Sequence, residues 1–600
     1  MNIINDFSIS INTINGSGSG TANLTILKSI FRMGVPVSGK NILPSNIQGM
    51  PTEYIIRINK DGYVGRKEFN DIIIDMNSKQ INDHINGSVL ICRDDATVDK
   101  IHNDIFLYQI PVEKLITESG EYTKSIKIYL ENMTYVGFLA FLVGIDLDEI
   151  YNVLLHHFEN KKDITETNFT VVNNTYEWAK INIRKNDPYI IQRINNDNKK
   201  ILTDGNLAAA LGSIYGGVQF AAWYPITPAS SISENLHEYL PVLRKDPVTG
   251  KDTYAVVQAE DEIAAIGMSI GAGWAGLRSM TATSGPGLSL MAEYIGLAYY
   301  AEIPVVIWNV QRVGPSTGLP TRTAQGDLLF SNSISHGDTE YIILIPGSLE
   351  ECFDFGCEAF NYAEKYQTPV IILSDMDLGM NQWTGNKFLF PETKIDRGKI
   401  IWENDLQNIL NQNELVWGRY LDIDFDNIPY RTVPGNQNPK SAYFARGTGH
   451  DEFGNYSEDP CNWEKLLNRL KNKVAQAKTD LPGPVSLINP EADIGIISMG
   501  STNDPIYEAI NQLESDGWNI DYLRIRSIPI SDKVFEFINN HKINYVVELN
   551  RDGQLYKLLL LEFPNTSKKL ESLTKIDGLP LSSEWIIRVM YENMDYRDNL

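Results

Sequence analysis

Cysteine is scarce. Cys92, Cys352, Cys357 and Cys461 are the four thiols among 600 residues, and no Cys-x-x-Cys pair occurs. An iron–sulfur cluster needs about four cooperating thiolates, which this chain cannot offer locally. Cys352 and Cys357 are five positions apart, a spacing that splays two side chains on a helix. All four thiols read as reduced and structural. Positive charge is also short: 52 Lys and Arg stand against 76 Asp and Glu, a net charge of −24. That argues against a nucleic-acid or anionic-membrane surface and suits a cytoplasmic protein with a basic partner. Long apolar runs are missing too. The longest, Tyr135 to Ile145, is too short to cross a bilayer. The polar N-terminus, Met1 to Ser10, does not read as a secretory signal.

What is present is an alternating α/β chain. Hydrophobic residues make up 43%, enough for ordinary cores, and the length predicts three or four domains. Ser8–Asn15 alternates like a strand, Gly16-Ser-Gly-Ser-Gly-Thr21 turns, and Asn23–Met33 is periodic like a helix. The polar, Asn-rich stretch from Lys185 to Lys200 reads as a linker. Beyond it, Ser279–Thr283, a Ser-Gly-Pro-Gly turn, a helix Leu288–Ala301 and a strand Pro304–Val310 form a βαβ unit of a parallel sheet. Asn381 to Pro482 is irregular. Then Ile494–Met499 and Tyr545–Leu549 read as strands of a further α/β unit.

Some motifs imitate chemistry. Gly16, Gly18 and Gly20 resemble a dinucleotide turn, but the third glycine of the fingerprint would be Thr21. The turn is either structural or a phosphate cradle at a helix start. Gly34 to Asn41 nearly spells a P-loop, yet Asn41 stands where Ser or Thr must reach the metal. His156 and His157 are adjacent, so they point to different helix faces.

Three segments carry more. Tyr224-Pro225-Ile226-Thr227-Pro228 ends a strand, and its prolines push Tyr224 and Thr227 into extended geometry. Thr227 is either a pre-positioned hydroxyl or a helix cap. Glu260-Asp261-Glu262 leads into a helix with glycines at 267, 271 and 273. Each interior glycine costs about 1 kcal/mol against Ala, so close backbone packing should offset it. One carboxylate there caps the helix or trades protons at a dry edge. Finally, Arg312 leaves a strand end into Val-Gly-Pro-Ser-Thr-Gly-Leu-Pro-Thr321. An arginine so placed suits bidentate capture of a carboxylate, or a structural ion pair.

In combination, these segments resemble the alpha subunit of the 2-oxoacid:ferredoxin oxidoreductases, with an N-terminal unit similar to their gamma subunit fused ahead of it. The resemblance implies a multidomain α/β protein: a Rossmann-like gamma domain (1–190), a pyrimidine-binding domain for thiamine diphosphate with a parallel sheet (200–385), an irregular connection (386–482) and a transketolase-C-like α/β domain (483–600). It implies oxidative decarboxylation of a 2-oxoacid with CoA and ferredoxin. Glu262 takes the role of the glutamate that hydrogen-bonds the aminopyrimidine ring, with Glu260 as the alternative. Tyr224, Pro225, Ile226 and Thr227 line the cofactor, with Thr227 also near the substrate. Arg312 and Thr321 hold the substrate, and Gly16, Gly18 and Gly20 form a CoA or phosphate turn. No metal ligand is expected here. The Gly-Asp-Gly of pyrophosphate domains is absent, Thr203-Asp204-Gly205 being nearest. Mg²⁺ and a [4Fe–4S] cluster are therefore expected on a beta subunit. 2-Oxoglutarate is the preferred substrate, with pyruvate or branched-chain oxoacids as alternatives. A non-catalytic regulatory paralogue is the reading from another class. A different two-subunit thiamine enzyme fits the Pro-Ser-Thr-Gly-Leu-Pro-Thr loop less well.

Overall fold

The strand predicted at the N-terminus spans Asp6–Ile14 and is buried on both faces for most of its length. Its hydroxyls are therefore paired inside: Ser10 Oγ donates to Glu53 Oε1 at 2.7 Å, and Thr13 Oγ1 to Ser19 Oγ at 2.9 Å. A computed structural model describes residues 2–42, 50–81, 88–99, 105–195, 199–391, 394–413 and 417–598. The strand is the pivot of an eight-stranded sheet. On one side it pairs in parallel with Ile72–Asp75, followed by Val89–Arg93 and Phe106–Ile110. On the other it pairs antiparallel with Pro51–Asn59, followed by Val37–Ile42.

One reading holds here and one changes. Residues 34–41, the near P-loop, run into a strand rather than a phosphate loop. Lys40 is buried, donating to Asp377 Oδ1 at 2.6 Å and lying 3.6 Å from the centre of the Trp383 ring. The region read as a linker also does not divide one sheet from the next. Tyr189–Ile190 pairs with Ile3–Ile4, and Lys200–Thr203 joins Gln382–Asn386 at the edge of the first sheet. Residues 196–198 between them lie outside the described residues.

The apolar run at 135–145 belongs to a longer element. Lys124–Gly144 is long and apolar enough to cross a membrane, but 67% of its most apolar window is buried against the protein. A Cβ on Gly137 would collide with the Val172 carbonyl of the helix Lys162–Asn182, so the two helices are in backbone contact. It is a core helix.

A second sheet has seven strands, in the order Ala255–Gln258, Phe220–Trp223, Ser279–Thr283, Val305–Gln311, Pro369–Asp375, Ile342–Leu344 and Ser527–Ile528. All neighbours are parallel except the last pair. The third sheet runs Val485–Leu487, Ile520–Ile525, Ile494–Met499, Ile543–Glu548 and Leu570–Thr574, parallel apart from its first strand.

The stretch read as irregular holds an 18-residue helix, Pro460–Ala477, capped by Asp459. Its polar sequence hid it, because Arg469 and Lys473 face inward. Lys473 Nζ donates to Glu302 Oε2 at 2.7 Å, both side chains fully buried, and Arg469 grips the same carboxylate. The thiol reading also needs one correction: Cys92, Cys352 and Cys357 are buried, but Cys461 is exposed at the start of this helix.

Removing one partner of a buried pair strands the other charge, at about 3–5 kcal/mol. Lys473→Ala should lower the unfolding free energy of the transition that melts this helix by about 3–5 kcal/mol, read as a lower urea midpoint at unchanged slope. An unchanged midpoint would show that Arg469 alone satisfies Glu302.

Candidate active site

The second sheet reverses its strand order at Phe220–Trp223, and parallel sheets bind ligands at the carboxyl ends beside such a point. Four adjacent strand ends there carry the residues singled out from the sequence. Asp261 and Glu262 follow Ala255–Gln258. Tyr224–Pro228 follows Phe220–Trp223. Ser284–Gly287 follows Ser279–Thr283, and Arg312 follows Val305–Gln311.

Asp261, not Glu262, is the helix cap, accepting from Ala264 N at 2.6 Å. Glu262 is thereby free for another role. It is half-buried, and a Cβ on Gly287 would lie 2.8 Å from its Cγ. Glu260 is exposed. Thr227 is not a cap either, because the following helix starts at Ser230 and its N-cap is Ala229. The Thr227 carbonyl accepts from Arg312 Nη1 at 2.6 Å, and Pro228 O accepts from Asn206 Nδ2 at 2.8 Å. Two of the sequence candidates therefore touch. Ser230 Oγ steadies the turn by accepting from Ile226 N at 2.9 Å. Tyr224 and Ile226 are half-buried and Pro225 is exposed.

Arg312 is 7% exposed, and its Nε is buried without a partner. A buried, unsatisfied guanidinium N–H is a strong donor awaiting an acceptor. Arg312 lines a cavity of about 860 Å³ together with Gly285, Pro286, Thr323 and Asp327. Thr321 is not among the residues lining it. Val313 N donates to Arg322 O at 3.0 Å and Arg322 N to Leu319 O at 3.0 Å, folding the loop back so that Thr323 returns to the cavity. Thr321 instead accepts from Arg322 Nη1 at its carbonyl, 2.8 Å away.

The glycine turn at the N-terminus stands apart from this edge, in the first unit. Gly16 and Gly18 have φ of 87° and 80°, values glycine alone adopts freely. A Cβ on Gly18 would lie 2.9 Å from Tyr129 Cε1, so a tight turn accounts for that glycine, while Gly20 faces open space.

The chain resembles known proteins along most of its length. Residues 211–393 match the family model "Pyruvate flavodoxin/ferredoxin oxidoreductase, thiamine diP-binding", and residues 8–178 match "Pyruvate ferredoxin/flavodoxin oxidoreductase". The chain is 30% identical to 2-oxoacid:ferredoxin oxidoreductase 1, subunit alpha, of Sulfurisphaera tokodaii, covering 85% of each chain. It is 38% identical to the Saccharolobus solfataricus alpha subunit, over 62% of this chain and 58% of that one. The chain belongs to the 2-oxoacid:ferredoxin oxidoreductase alpha subunits. Its fold matches the 2-oxoglutarate:ferredoxin oxidoreductase of Magnetococcus marinus, solved with 2-oxoglutarate, coenzyme A and succinyl-CoA bound. The TM-score is 0.86 at 29% identity, over 98% of this chain and 99% of that one.

The residues at these strand ends are the ones that could hold thiamine diphosphate in a domain of this family. Gly285-Pro286-Gly287 lies between two carboxylates: Glu262 packs on Gly287, while a Cβ on Gly285 would lie 2.9 Å from Asp327 Oδ2. Asp327 was not evident in the sequence, where it is one acid in an unremarkable Gln-Gly-Asp run. Asn309 Nδ2 donates to it at 2.9 Å, and its own N–H donates to Gln311 Oε1 at 3.0 Å. Burial raises its carboxyl above the ordinary range, partly offset by Asn309 and Arg312.

A raised folded carboxyl binds its proton longer than the unfolded one does, so this group makes stability fall as pH rises. Asp327→Asn keeps an acceptor for Asn309 and removes the titration. The variant should unfold at higher temperature than wild type at pH 8, with a smaller difference at pH 5. Equal gains at both pH values would discard this account.

Proposed function

We propose that this chain is the substrate- and pyrimidine-facing half of a cytoplasmic enzyme. The reaction converts a 2-oxoacid, for which 2-oxoglutarate is the best candidate, and CoA to acyl-CoA and CO₂, passing two electrons singly to ferredoxin. The observation that carries this reading is the convergence of Thr227, Glu262 and Arg312 on adjacent strand ends, with Arg312 holding Thr227 and keeping a buried N–H unsatisfied. The 2-oxoglutarate preference draws support from the 2-oxoglutarate synthase subunit KorA of Methanocaldococcus jannaschii, 36% identical over 62% of this chain and 94% of that subunit, and from the Magnetococcus marinus enzyme.

Thiamine diphosphate, when bound, supplies the nucleophilic carbon and the electron sink for decarboxylation. Glu262 would hydrogen-bond the aminopyrimidine ring and govern its protonation. Tyr224, Pro225 and Ile226 would line the ring with Thr227. Arg312 would receive the oxoacid carboxylate through its unsatisfied N–H. Thr321, outside the cavity, would act by shaping the loop. Gly16, Gly18 and Gly20 remain a candidate phosphate turn for CoA.

A partner subunit would bring Mg²⁺, the pyrophosphate contacts and the cluster. The helix Glu262–Trp274 supports this. A Cβ on Gly273 would collide with the Pro304 carbonyl, and one on Gly267 would lie 3.3 Å from the Tyr294 ring, so both glycines have reasons within this chain. Gly271 has none: it is exposed, and a Cβ there meets nothing within 4 Å. Its helix cost of about 1 kcal/mol is left without a local offset. Ile263 and Met268 of the same helix and Leu290 of the next are 42%, 43% and 53% exposed. An apolar face with an open glycine suits close approach by another chain.

Two outcomes test this. Glu262→Gln in the assembled complex should fold normally and lose at least 100-fold in turnover; undiminished turnover would remove the glutamate role. Gly271→Ala should stabilise the isolated chain by up to about 1 kcal/mol, whereas Gly271→Leu should weaken co-assembly with the partner at least tenfold in sedimentation. A Leu variant that assembles normally would place the partner elsewhere.

A further inference from the structure

The cavity beside Arg312 has a second wall, built by the C-terminal unit. Asn550, Arg551 and Asp552 follow the strand Ile543–Glu548, and Lys575, Ile576 and Gly578 follow the strand Leu570–Thr574. These are again carboxyl ends of neighbouring parallel strands. The cavity thus lies where the carboxyl edges of two parallel sheets face each other, each a place where such sheets take ligands. The walls are fastened together. Thr323 N donates to Gly578 O at 3.1 Å, Gln325 N to Leu549 O at 2.7 Å, and Asn550 Nδ2 to Gln325 O at 3.0 Å.

Charge is arranged across this space. The lining holds three cations, Arg312, Arg551 and Lys575, against two carboxylates, Asp327 and Asp552. In a chain of net charge −24, the wall is close to balanced, since Asp577 beside Lys575 brings the carboxylates to three. Arg551 pairs with Asp552 at 2.7 Å, but the two side chains are 78% and 49% exposed. An exposed pair of this kind contributes under about 1 kcal/mol, so Arg551 can exchange Asp552 for a ligand at little cost. Lys575 is 7% exposed and held in place by Asp577. The nearby helix Gln554–Glu562 offers no competing anion site, because Glu548 accepts from Leu555 N at 2.8 Å and from Tyr556 N at 3.1 Å. An anion in this wall would meet side chains rather than a helix end.

We propose that Arg551, backed by Lys575, forms a second anion subsite. It receives the far anionic group of a ligand whose reacting end lies in the same cavity, beside Arg312. The volume, near the upper end for small-molecule sites, accommodates an extended ligand. The shared chemistry is a carboxylate or phosphate taken by a guanidinium fork. Its two possible sources are the distal carboxylate of a dicarboxylic oxoacid and a phosphate of CoA. The subsite rests on the reading of Arg312 as the substrate's carboxylate anchor, and it gives the C-terminal unit a role in ligand choice.

The test uses the chain assembled with its partner subunit. Steady-state kinetics of Arg551→Ala and Lys575→Ala compare 2-oxoglutarate with 2-oxobutyrate, and CoA with pantetheine. Lys542→Ala, on an exposed lysine elsewhere in the same unit, is the control. Arg551→Ala should raise KM at least tenfold for one ligand bearing the far anion and under twofold for its counterpart without it. A selective effect on 2-oxoglutarate assigns the distal carboxylate; a selective effect on CoA assigns a phosphate. An equal effect on all four ligands, or one no larger than that of the Lys542 control, overturns the subsite. Calorimetric binding of 2-oxoglutarate and CoA to the purified chain separates the two claims. Weakened binding in Arg551→Ala alongside an inactive wild-type complex would sink the enzymatic reading and keep the subsite. Unaltered binding alongside an active complex would do the reverse.

Discussion

Gln325 is 1% exposed and commits its hydrogen-bonding capacity to the C-terminal sheet. Nε2 donates to Met499 O at 2.9 Å, and Oε1 accepts from Leu549 N at 3.2 Å. Its main chain adds bonds to Leu549 O and Asn550 Nδ2. One amide thus bridges the carboxyl ends of two neighbouring strands in a unit that lies far along the chain. Each bond contributes about 1 kcal/mol net, and stranding a buried partner costs more. The geometric consequence is larger than the energy. The segment from Arg312 to Asp327 is clamped at Gln325 and folded back on itself at Val313, so Arg312 and Asp327 meet in one wall. Without the clamp, Arg312 would keep its bond to Thr227 O, but Asp327 and Thr323 would lose their place in the same wall.

Buried charge does similar work between units. Lys40 from the first sheet meets Asp377 from the second, while Asp375 accepts from Ser501 Oγ of the third at 2.6 Å. Burial, then the neighbouring Asp377, raises the Asp375 carboxyl, and burial holds Asp504 up to about 6. Such groups do not make a stable core by themselves, since desolvation offsets much of the attraction. They do discriminate between arrangements: sliding one unit against another strands a charge that no other position satisfies. Strand exchange adds to this, with Gln382–Asn386 completing the first sheet and Ser527–Ile528 the second.

What could be read from the sequence follows from where each signal resides. Strands with local apolar patterns, Ser279–Thr283 and Ile494–Met499, were legible to the residue, and the strand-end run at Thr227 and the carboxylates before the helix at Glu262 were visible as motifs. The helix Pro460–Ala477 was not legible, because the reason Arg469 and Lys473 point inward is Glu302, far earlier in the chain. Asp327 was missed for the same kind of reason. Nothing in its neighbours announces that Gly285 leaves room for its carboxylate. Thr321 was assigned from the resemblance, but a pair of main-chain bonds folds the loop and brings Thr323 to the cavity. Periodicity reports local burial; it does not report which distant group makes a polar side chain worth burying.

The helix Glu262–Trp274 bears on why an alpha subunit works with a partner. A helix glycine with no neighbour is a local fault unless something outside the chain uses the space, and Gly271 lies on the face that also exposes Ile263 and Met268. The thiols point the same way. Burial pushes the Cys92 thiol up to about 11 and Cys357 up to about 12, while Cys461 lies on the surface. A reaction that releases two electrons one at a time needs a path away from the site, and four thiols without a Cys-x-x-Cys pair offer no local cluster motif. The strand-end turn at Thr227 therefore gains its meaning from both sides. Arg312 fixes it from within the chain, and the helix that begins at Glu262 leaves an apolar face with an open glycine beside it.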